Sequence, residues 1–233
     1  MHIQKPFLAG LLFLVNSLLA CDSTEIGDSK DVNQDKIYMD YNLSYTEDDE
    51  QVLLSFQYRF AGSAGTTLVL NNNSRVELDG EKLKVDSSES VGAFYETHKN
   101  FNTFIGQHQI LFTDDNGKPF ENSFEFAPFT LTNLPITAEP DKDLIVSFNT
   151  IALGTMDFIE INSLDTDSSF RYQQSGPASS ITIPASELMR QKGKTLTLEP
   201  VLFRTIPLSQ TTSEGGSFKL FYKLKPVKIK LHS

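Results

Sequence analysis

The chain has 233 residues, of which 39% are hydrophobic, enough apolar material for one large globular domain or two small ones. Its 20 Lys and Arg residues are outnumbered by 30 Asp and Glu residues, so the formal net charge at pH 7 is −10. Such a charge repels phosphate backbones and anionic lipid headgroups. The composition therefore argues against nucleic acid as a partner and against membrane binding through surface charge.

The first twenty residues have the parts of an export signal. His2 and Lys5 form a short basic end, and residues 7–20 form a nearly continuous apolar run. This run is shorter than the roughly 20 apolar residues that a membrane-spanning helix needs. We therefore predict that residues 1–20 are a signal peptide that is cleaved and not retained.

The end of this run carries a recognisable motif. Leu18-Leu19-Ala20-Cys21 resembles a lipobox, the cleavage motif of bacterial lipoprotein precursors. In that family the cysteine receives a diacylglyceryl group on its sulfur, and the leader is cut before it. The resemblance implies a lipid anchor on Cys21, the only cysteine of the chain. The alternative is a buried cysteine in an uncleaved apolar helix.

Residues 21–35 are rich in Asp, Ser and Asn, which predicts a flexible tether after the lipid. Within it Asp31, Asn33 and Asp35 have the alternate spacing of a calcium loop. A Lys stands where such a loop needs Gly for its sharp turn, and an Asn stands where a Glu should close the site. We therefore expect a solvated linker and no bound metal or other cofactor.

From residue 36 onward the hydrophobic pattern has period two, which is typical of strands with one buried face. Residues 37–45 and 54–60 are the clearest strands of the first half. Between them lies a run of four acids, Glu47, Asp48, Asp49 and Glu50. Adjacent acids on one loop tip repel each other, so a solvated turn is favoured over a cation site.

Two dipeptides predict turns. Asp79-Gly80 favours a two-residue hairpin, because both residues tolerate positive φ angles, and it would pair Leu78 with Glu81. At Asn116-Gly117 a two-residue loop would place Phe112 opposite a glutamate. We therefore expect a longer loop or a bulge at that position.

A polar, proline-containing break at residues 132–135 predicts a domain boundary near Asn133, giving domains at residues 36–132 and 133–233. A short helix is predicted after Pro184, with Glu187 near its positive end. The segment around it, residues 181–198, resembles the crossover before the penultimate strand of immunoglobulin-like or fibronectin-like domains. The expected fold is all-β, with two antiparallel immunoglobulin-like sandwiches in tandem. Further strands are predicted at residues 144–149, 156–161, 170–172, 180–183, 195–203 and 217–224.

The strand at residues 217–224 places Lys219 and Lys223 on one face, and Lys225 and Pro226 follow. Lysine and proline are typical guards of an edge strand against aggregation. An edge strand is therefore the favoured interpretation, and a lysine stripe that holds an acidic glycan or a partner is the alternative.

The sequence contains no recognised motif for catalysis. His98 and His108 stand in no such constellation, and a pair such as Asp165 and Asp167 does not by itself define a glycosidase site. We therefore expect a protein that is not an enzyme. The alternative is a glycan-binding or glycan-hydrolysing protein whose site comes from distant loops, although the absence of Trp disfavours it.

Together these features predict a lipid-anchored binding or structural protein of the bacterial cell envelope. Its expected partners are the membrane, through the lipid on Cys21, and another envelope protein or a glycan. Asp22 resembles the signal that keeps some enterobacterial lipoproteins on the inner membrane. Other bacteria do not follow that rule, and the expectation favours the outer membrane, with the leaflet left open.

Overall fold

The computed structural model describes residues 24–165, 169–191 and 195–232. The predicted signal peptide, the lipobox at Leu18, Leu19 and Ala20, and the lipid acceptor Cys21 lie outside these residues. Within them, no helix has both the length and the apolar character needed to cross a membrane.

The chain forms nineteen described strands, one short helix and three single 3-10 turns. The helix, α1, spans Ala185–Arg190, which confirms the prediction of a short helix after Pro184. The 3-10 turns lie at Ser29–Asp31, Gln34–Lys36 and Phe101–Thr103. The strands are β1 (Ile26–Asp28), β2 (Ile37–Thr46), β3 (Gln51–Phe60), β4 (Thr66–Val69), β5 (Arg75–Leu78), β6 (Glu81–Lys82), β7 (Val85–Ser88), β8 (Gly92–Asn100), β9 (Gly106–Thr113), β10 (Pro119–Phe126), β11 (Thr130–Thr132), β12 (Thr137–Ala138), β13 (Leu144–Asn149), β14 (Phe158–Ser163), β15 (Arg171–Ser175), β16 (Ser180–Ile183), β17 (Thr195–Thr205), β18 (Gly216–Lys223) and β19 (Val227–Leu231).

One large sheet of twelve strands organises the fold. Its main path runs β1-β4-β3-β2-β18-β17-β14-β15, with β8 and β7 attached at β3 and with β19 and β12 attached at β17. Most pairs are antiparallel, but β1–β4, β2–β18 and β12–β19 are parallel. The β2–β18 pair joins a strand from the start of the chain to one from near its end. The large sheet therefore draws strands from both sides of the boundary predicted at Asn133.

Two smaller sheets cover one face of the large sheet. The first has the order β10-β9-β5-β6 and the second the order β11-β13-β16. Aromatic contacts join the first of them to the large sheet: the ring centroids of Tyr58 and Phe112 lie 4.4 Å apart, and those of Phe124 and Phe218 lie 5.0 Å apart. The expected fold class, an all-β fold of stacked sheets in sandwiches, is confirmed.

The two turn predictions are also confirmed. Asp79 and Gly80 have φ angles of +52° and +81°, and Leu78 pairs with Glu81. The turn at Asn116-Gly117 is longer than two residues, because Thr113 pairs with Pro119 and Phe112 then faces Phe120. This register replaces an aromatic–carboxylate pair by two stacked rings with centroids 5.6 Å apart.

The segment predicted as a flexible tether differs in the structure from Ile26 onward. Ile26–Asp28 forms β1 and pairs in parallel with β4, with Ile26 opposite Thr67. The backbone N–H of Thr67 donates to the carbonyl of Glu25 at 2.9 Å. Main-chain bonds of this kind do not depend on apolar side chains, so a polar composition does not reveal the strand.

The interpretation of residues 217–224 as an edge strand is wrong. Strand β18 lies inside the large sheet, between β2 and β17. Its inward residues are apolar, and β2 and β17 occupy its two hydrogen-bonding sides. Its lysines therefore point from the open face of the sheet and do not guard an edge.

Candidate binding cleft

A cleft opens between the two covering sheets, which do not meet over the large sheet. Parallel pairing of β2 and β18 places Tyr45 beside Tyr222 on the covered face. The first covering sheet ends at Phe126, and the second begins at Thr130. The intervening segment crosses over the two tyrosines and leaves a gap, which we call the junction cleft. It has a volume of about 380 Å³ and is lined by Tyr45, Glu47, Phe101, Pro128, Phe129, Thr130, Leu131, Tyr222, Leu224, Lys225 and Val227.

Four of the eleven residues that line the junction cleft are aromatic. Tyr45 and Phe101 are stacked, with centroids 4.4 Å apart and planes 21° apart. Tyr222 lies nearly perpendicular to both, at 68° and 82°. Phe129 is in turn perpendicular to Tyr222, at 89°. These rings largely cover one another: Phe129, Tyr222 and Tyr45 are buried, and only Phe101 is partly exposed.

The hydroxyl of Tyr45 differs from those of the other buried tyrosines. Tyr41 and Tyr58 share a hydrogen bond of 3.3 Å, and the hydroxyl of Tyr95 accepts a bond from the backbone N–H of Leu70 at 2.6 Å. Tyr45 is only 5% exposed, yet its hydroxyl has no hydrogen-bond partner among residues 24–165, 169–191 and 195–232. The hydroxyl is not fully enclosed, so solvent or a molecule in the cleft can reach it.

The rim of the junction cleft is acidic. Loss of hydration, followed by the charges of Glu47, Glu50 and Asp49, raises the pKa of the Tyr45 hydroxyl. A raised pKa means that the neutral phenol is favoured over the phenolate, as expected where the electrostatic potential is negative. The field of these three carboxylates therefore reaches the interior of the cleft.

Backbone hydrogen bonds hold the acidic turn, formed by Glu47, Asp48, Asp49 and Glu50, against the cleft. The N–H of Glu47 donates to the carbonyl of Lys223 at 3.0 Å, and the carboxylate of Glu47 accepts from the N–H of Lys225 at 2.8 Å. The N–H of Phe101 donates to the carbonyl of Glu50 at 3.0 Å. The turn is thus tied to β18 and to the 3-10 turn that carries Phe101. In the part of the chain that the structure describes, no group of three or more His, Cys, Asp or Glu side chains could hold a metal ion.

The residues that resembled a calcium loop have other roles. The side chain of Asn33 accepts a bond from the N–H of Asp35 at 3.0 Å, which caps a 3-10 turn. Asp35 accepts from the backbone N–H of Ser213 at 3.1 Å, and hydrogen bonds from Ser213 lower the pKa of its carboxyl. These contacts fasten the N-terminal segment to the loop before β18.

Neither of the histidines singled out in the sequence, His98 and His108, lines the junction cleft. His98 is exposed and faces Glu96 at 3.1 Å. His108 is stacked on Phe104 with centroids 3.7 Å apart, and its two ring nitrogens face the carboxylate of Asp79 at 2.8 Å and the carbonyl of Phe104 at 2.6 Å. This arrangement braces the hairpin at Asp79 against β9.

Only one member of the carboxylate pair suggested by the sequence lies within the described residues. Asp165 accepts bonds from the hydroxyl of Ser163 at 3.3 Å and from the N–H of Thr197 at 3.2 Å. Asp167 lies outside the described residues. Asp165 therefore has a visible role in joining the end of β14 to β17.

The lysines of the predicted stripe are divided between two surroundings. Lys223 pairs with Glu199 at 2.8 Å, and Lys225 lies 3.5 Å from Asp48 on the acidic turn. Lys219 is exposed on the open face of the large sheet. The stripe is thus not one continuous cationic surface, since two of its three members already face carboxylates.

The sequence also left an aromatic row on the open face unidentified. Phe158, Phe203 and Phe221 are directly opposite one another on β14, β17 and β18, and neighbouring centroids lie 4.6 and 5.2 Å apart. Phe221 alternates with the buried residues of β18 and so lies on the same face as Lys219 and Lys223. This alternation was the only sign in the sequence that Phe221 is on the open face. The first two rings are stacked on each other, so their faces are largely occupied.

Comparisons with known proteins add little to this geometry. No protein-family model matches the chain, and no curated protein matches it. Among solved structures, it is similar to one described as giving insight into host cell surface retention of a 1.5-MDa bacterial ice-binding adhesin, at 9% identity and a TM-score of 0.29, over 86% of this chain and 67% of that one. It is also similar to a mutant Salmonella alpha-2-macroglobulin, at 10% identity and a TM-score of 0.25, over 84% of this chain and 15% of that one. Likenesses this remote carry no functional argument.

Proposed function

We propose that this protein is a lipid-anchored, non-enzymatic binding module of the bacterial cell envelope, with the junction cleft as its binding site. The observation that carries the binding role is the junction cleft itself, a concave space of about 380 Å³ whose lining is mostly apolar and into which the Tyr45 hydroxyl opens. The motif that ends at Cys21 supports the anchor. Two or three acyl chains, at about 0.8 kcal/mol per buried CH2, hold a protein on a membrane effectively permanently.

The position of β1 supports a short distance between the lipid and the folded part. Four residues, and therefore five Cα–Cα steps, separate Cys21 from Ile26, where β1 begins. At roughly 3.5 Å per extended step these five steps span at most about 17 Å. The edge formed by β1 and β4 would therefore lie close to the membrane surface, and the module would not swing freely on a long tether.

The anchor is tested by growing cells that express the protein with an alkyne analogue of palmitate. We expect the wild-type protein and the neighbouring control Ser23→Ala to carry the label and to sediment with membranes. Cys21→Ser should lose the label and appear in the soluble fraction, because only the cysteine sulfur accepts the diacylglyceryl group. Label that persists on Cys21→Ser would refute the proposed anchor.

The envelope location is tested by protease digestion of intact and lysed cells. Digestion of the wild-type protein on intact cells would place the module on the outer surface, as the expectation of an outer-membrane lipoprotein allows. Protection until lysis would confine it to the periplasm. Recovery of the unanchored protein in the cytoplasm, whole and with its leader, would contradict export altogether.

A further inference from the structure

We propose that a groove on the open face of the large sheet binds a small amphipathic carboxylate, that is, one carboxylate joined to an apolar chain or ring. This groove, which we call the open-face groove, has a volume of about 390 Å³, and its lining includes Asn42, Ser44, Phe158, Phe203, Lys219 and Phe221. Phe221 directly precedes Tyr222 in β18, so the two side chains lie on opposite faces of the sheet. The open-face groove is therefore separate from the junction cleft and does not depend on its proposed role.

One row of residues in the open-face groove is aromatic. Phe158, Phe203 and Phe221 lie directly opposite one another on three neighbouring strands, and all three are half-buried. Phe158 and Phe203 are stacked on each other, whereas Phe221 stands at 66° to Phe203 and has Ser44 of β2 on its other side. A serine side chain is too small to cover an aromatic ring. An apolar chain that lies over Ser44 would cover this side of Phe221 and gain hydrophobic stabilisation.

The next row on the same face is polar. Lys219 lies two residues before Phe221, and Asn42 and Thr205 are directly opposite it on β2 and β17. All three polar side chains are exposed, and each can donate a hydrogen bond to a carboxylate oxygen. Residues on one face of a strand repeat about every 7 Å. A carboxylate over the polar row would therefore leave the apolar part of the same molecule over the aromatic row.

The charge of Lys219 distinguishes it from the other cations of this face. Lys223 pairs with Glu199 at 2.8 Å, and Arg204 pairs with Asp157 at 3.1 Å. Lys219 forms no ion pair with any residue of the ranges 24–165, 169–191 and 195–232. An exposed ammonium beside an apolar groove attracts an anion that has an apolar body.

A single negative charge suits this site. Asp40 lies two residues before Asn42 on β2, and its carboxylate accepts a hydrogen bond from the hydroxyl of Ser217 at 2.8 Å. Asp40 is therefore on the side of the polar row that is away from Phe221. Its charge opposes the addition of a second negative charge to a ligand at Lys219. A carboxylate thus suits the open-face groove better than a doubly charged phosphate does.

The test uses the mature protein as it is isolated from cells, held in lipid nanodiscs because a detergent would compete for an apolar groove. Binding is followed by nuclear magnetic resonance of the added ligand, with empty nanodiscs as the background. The probes are hexanoate, butanoate, uncharged hexanamide and cationic hexylamine at neutral pH.

We expect saturable binding of hexanoate. Hexanamide should bind about two- to fivefold more weakly, as the loss of one exposed ion pair predicts. Butanoate should bind about tenfold more weakly, because it buries two fewer CH2 groups. Equal binding of hexanoate and hexanamide, equal binding of hexanoate and butanoate, or tighter binding of hexylamine would overturn the proposal.

A pair of lysine variants locates the charge that is used. Lys219→Gln should weaken hexanoate about two- to fivefold and leave hexanamide unchanged. Lys84→Gln is the matched control, because Lys84 is also exposed and forms no ion pair within the described part of the chain, but it lies between β6 and β7. Lys84→Gln should change the binding of neither probe. If both variants have the same effect on hexanoate, the carboxylate is not held at Lys219.

A third variant, Ser44→Phe, fills the apolar side of the groove. The new ring would continue the aromatic row beside Phe221, so hexanoate and hexanamide should both bind at least about tenfold more weakly. Urea denaturation checks that Ser44→Phe is folded, and the lysine pair decides the question if it is not. Unchanged hexanoate binding to the folded variant would refute the location of the site.

A last probe tests the source of the carboxylate. The groove is near the lower end of the roughly 300–1,000 Å³ that small-molecule sites occupy, which favours a small free ligand over a protein segment. An acetylated Gly-Gly-Leu peptide carries a carboxylate and an apolar side chain at its C-terminus, as the end of a partner protein would. Weaker binding of this peptide than of hexanoate supports a small free carboxylate. Equal or tighter binding of the peptide would overturn that source.

Discussion

Replacing Thr67 with valine should loosen the N-terminal strand and destabilise the fold. Thr67 is fully buried, and its hydroxyl donates to the carbonyl of Glu25 at 2.8 Å while it accepts from the N–H of Ala93 at 2.9 Å. Valine has nearly the same shape but can neither donate nor accept a hydrogen bond through its side chain. The buried N–H of Ala93 would then lack a partner, at a cost of about 1–3 kcal/mol, and the lost donor adds about 1 kcal/mol. We expect a total loss of about 2–4 kcal/mol in the free energy of unfolding.

Urea denaturation measures this change, and the neighbouring residue supplies the control. Thr66 is only partly buried, and its hydroxyl bonds the exposed carboxylate of Glu25 at 3.2 Å. Thr66→Val should therefore change the unfolding free energy by less than about 0.5 kcal/mol, as is usual for surface positions. If Thr67→Val costs no more than Thr66→Val, the hydroxyl does not secure β1, and the short-tether argument loses its support.

Two further predictions concern a neighbouring glycine and the response to alkali. Gly92 and Gly117 both have φ of +81°, but a Cβ on Gly92 would lie 2.3 Å from the Thr67 hydroxyl, whereas one on Gly117 meets nothing within 4 Å. Both alanine variants carry backbone strain of about 1–2 kcal/mol, and the clash should lower the free energy of unfolding of Gly92→Ala by about 1–3 kcal/mol more. The same urea denaturation measures both losses, and equal losses would refute the contact. Burial raises the pKa of Tyr95 to about 12. The folded state thus binds the phenolic proton more tightly than the unfolded state. The contribution of Tyr95 to the free energy of unfolding is therefore complete below pH 10 and declines as the pH rises from 10 past 12. Tyr95→Phe should show a shallower loss of stability over that interval, and an unchanged slope would contradict the assignment.

Local signals explain why part of the fold could be predicted from the sequence. The Asp79-Gly80 turn depends on the backbone freedom of two adjacent residues, and α1 depends on Pro184 and the residues that follow it. Period-two alternation likewise predicted β2 and β3, since each strand carries its own buried face. These features are decided within ten residues or fewer, so no knowledge of their spatial neighbours was needed.

Features that depend on distant partners were missed. Strand β1 has a polar sequence, and its place beside β4 is fixed by backbone hydrogen bonds that any side chain permits. The position of β18 was misjudged for a related reason. Lysines on alternate residues are typical both of an edge strand and of one open face of an interior strand. Only the identity of the neighbouring strands distinguishes these cases, and alternation carries no information about it.

The junction cleft is the extreme case, because its four rings come from four separate parts of the chain. Tyr45 and Tyr222 become neighbours only through the parallel pairing of β2 and β18, and Phe101 and Phe129 arrive from the ends of other strands. In the sequence each ring satisfies the pattern of an ordinary core residue, so nothing marks it as part of a site. What distinguishes them is the seam between two covering sheets that do not meet. The cleft is therefore a consequence of how the sandwiches share one large sheet, and a change that weakens the β2–β18 pairing should reduce binding there before it unfolds either covering sheet.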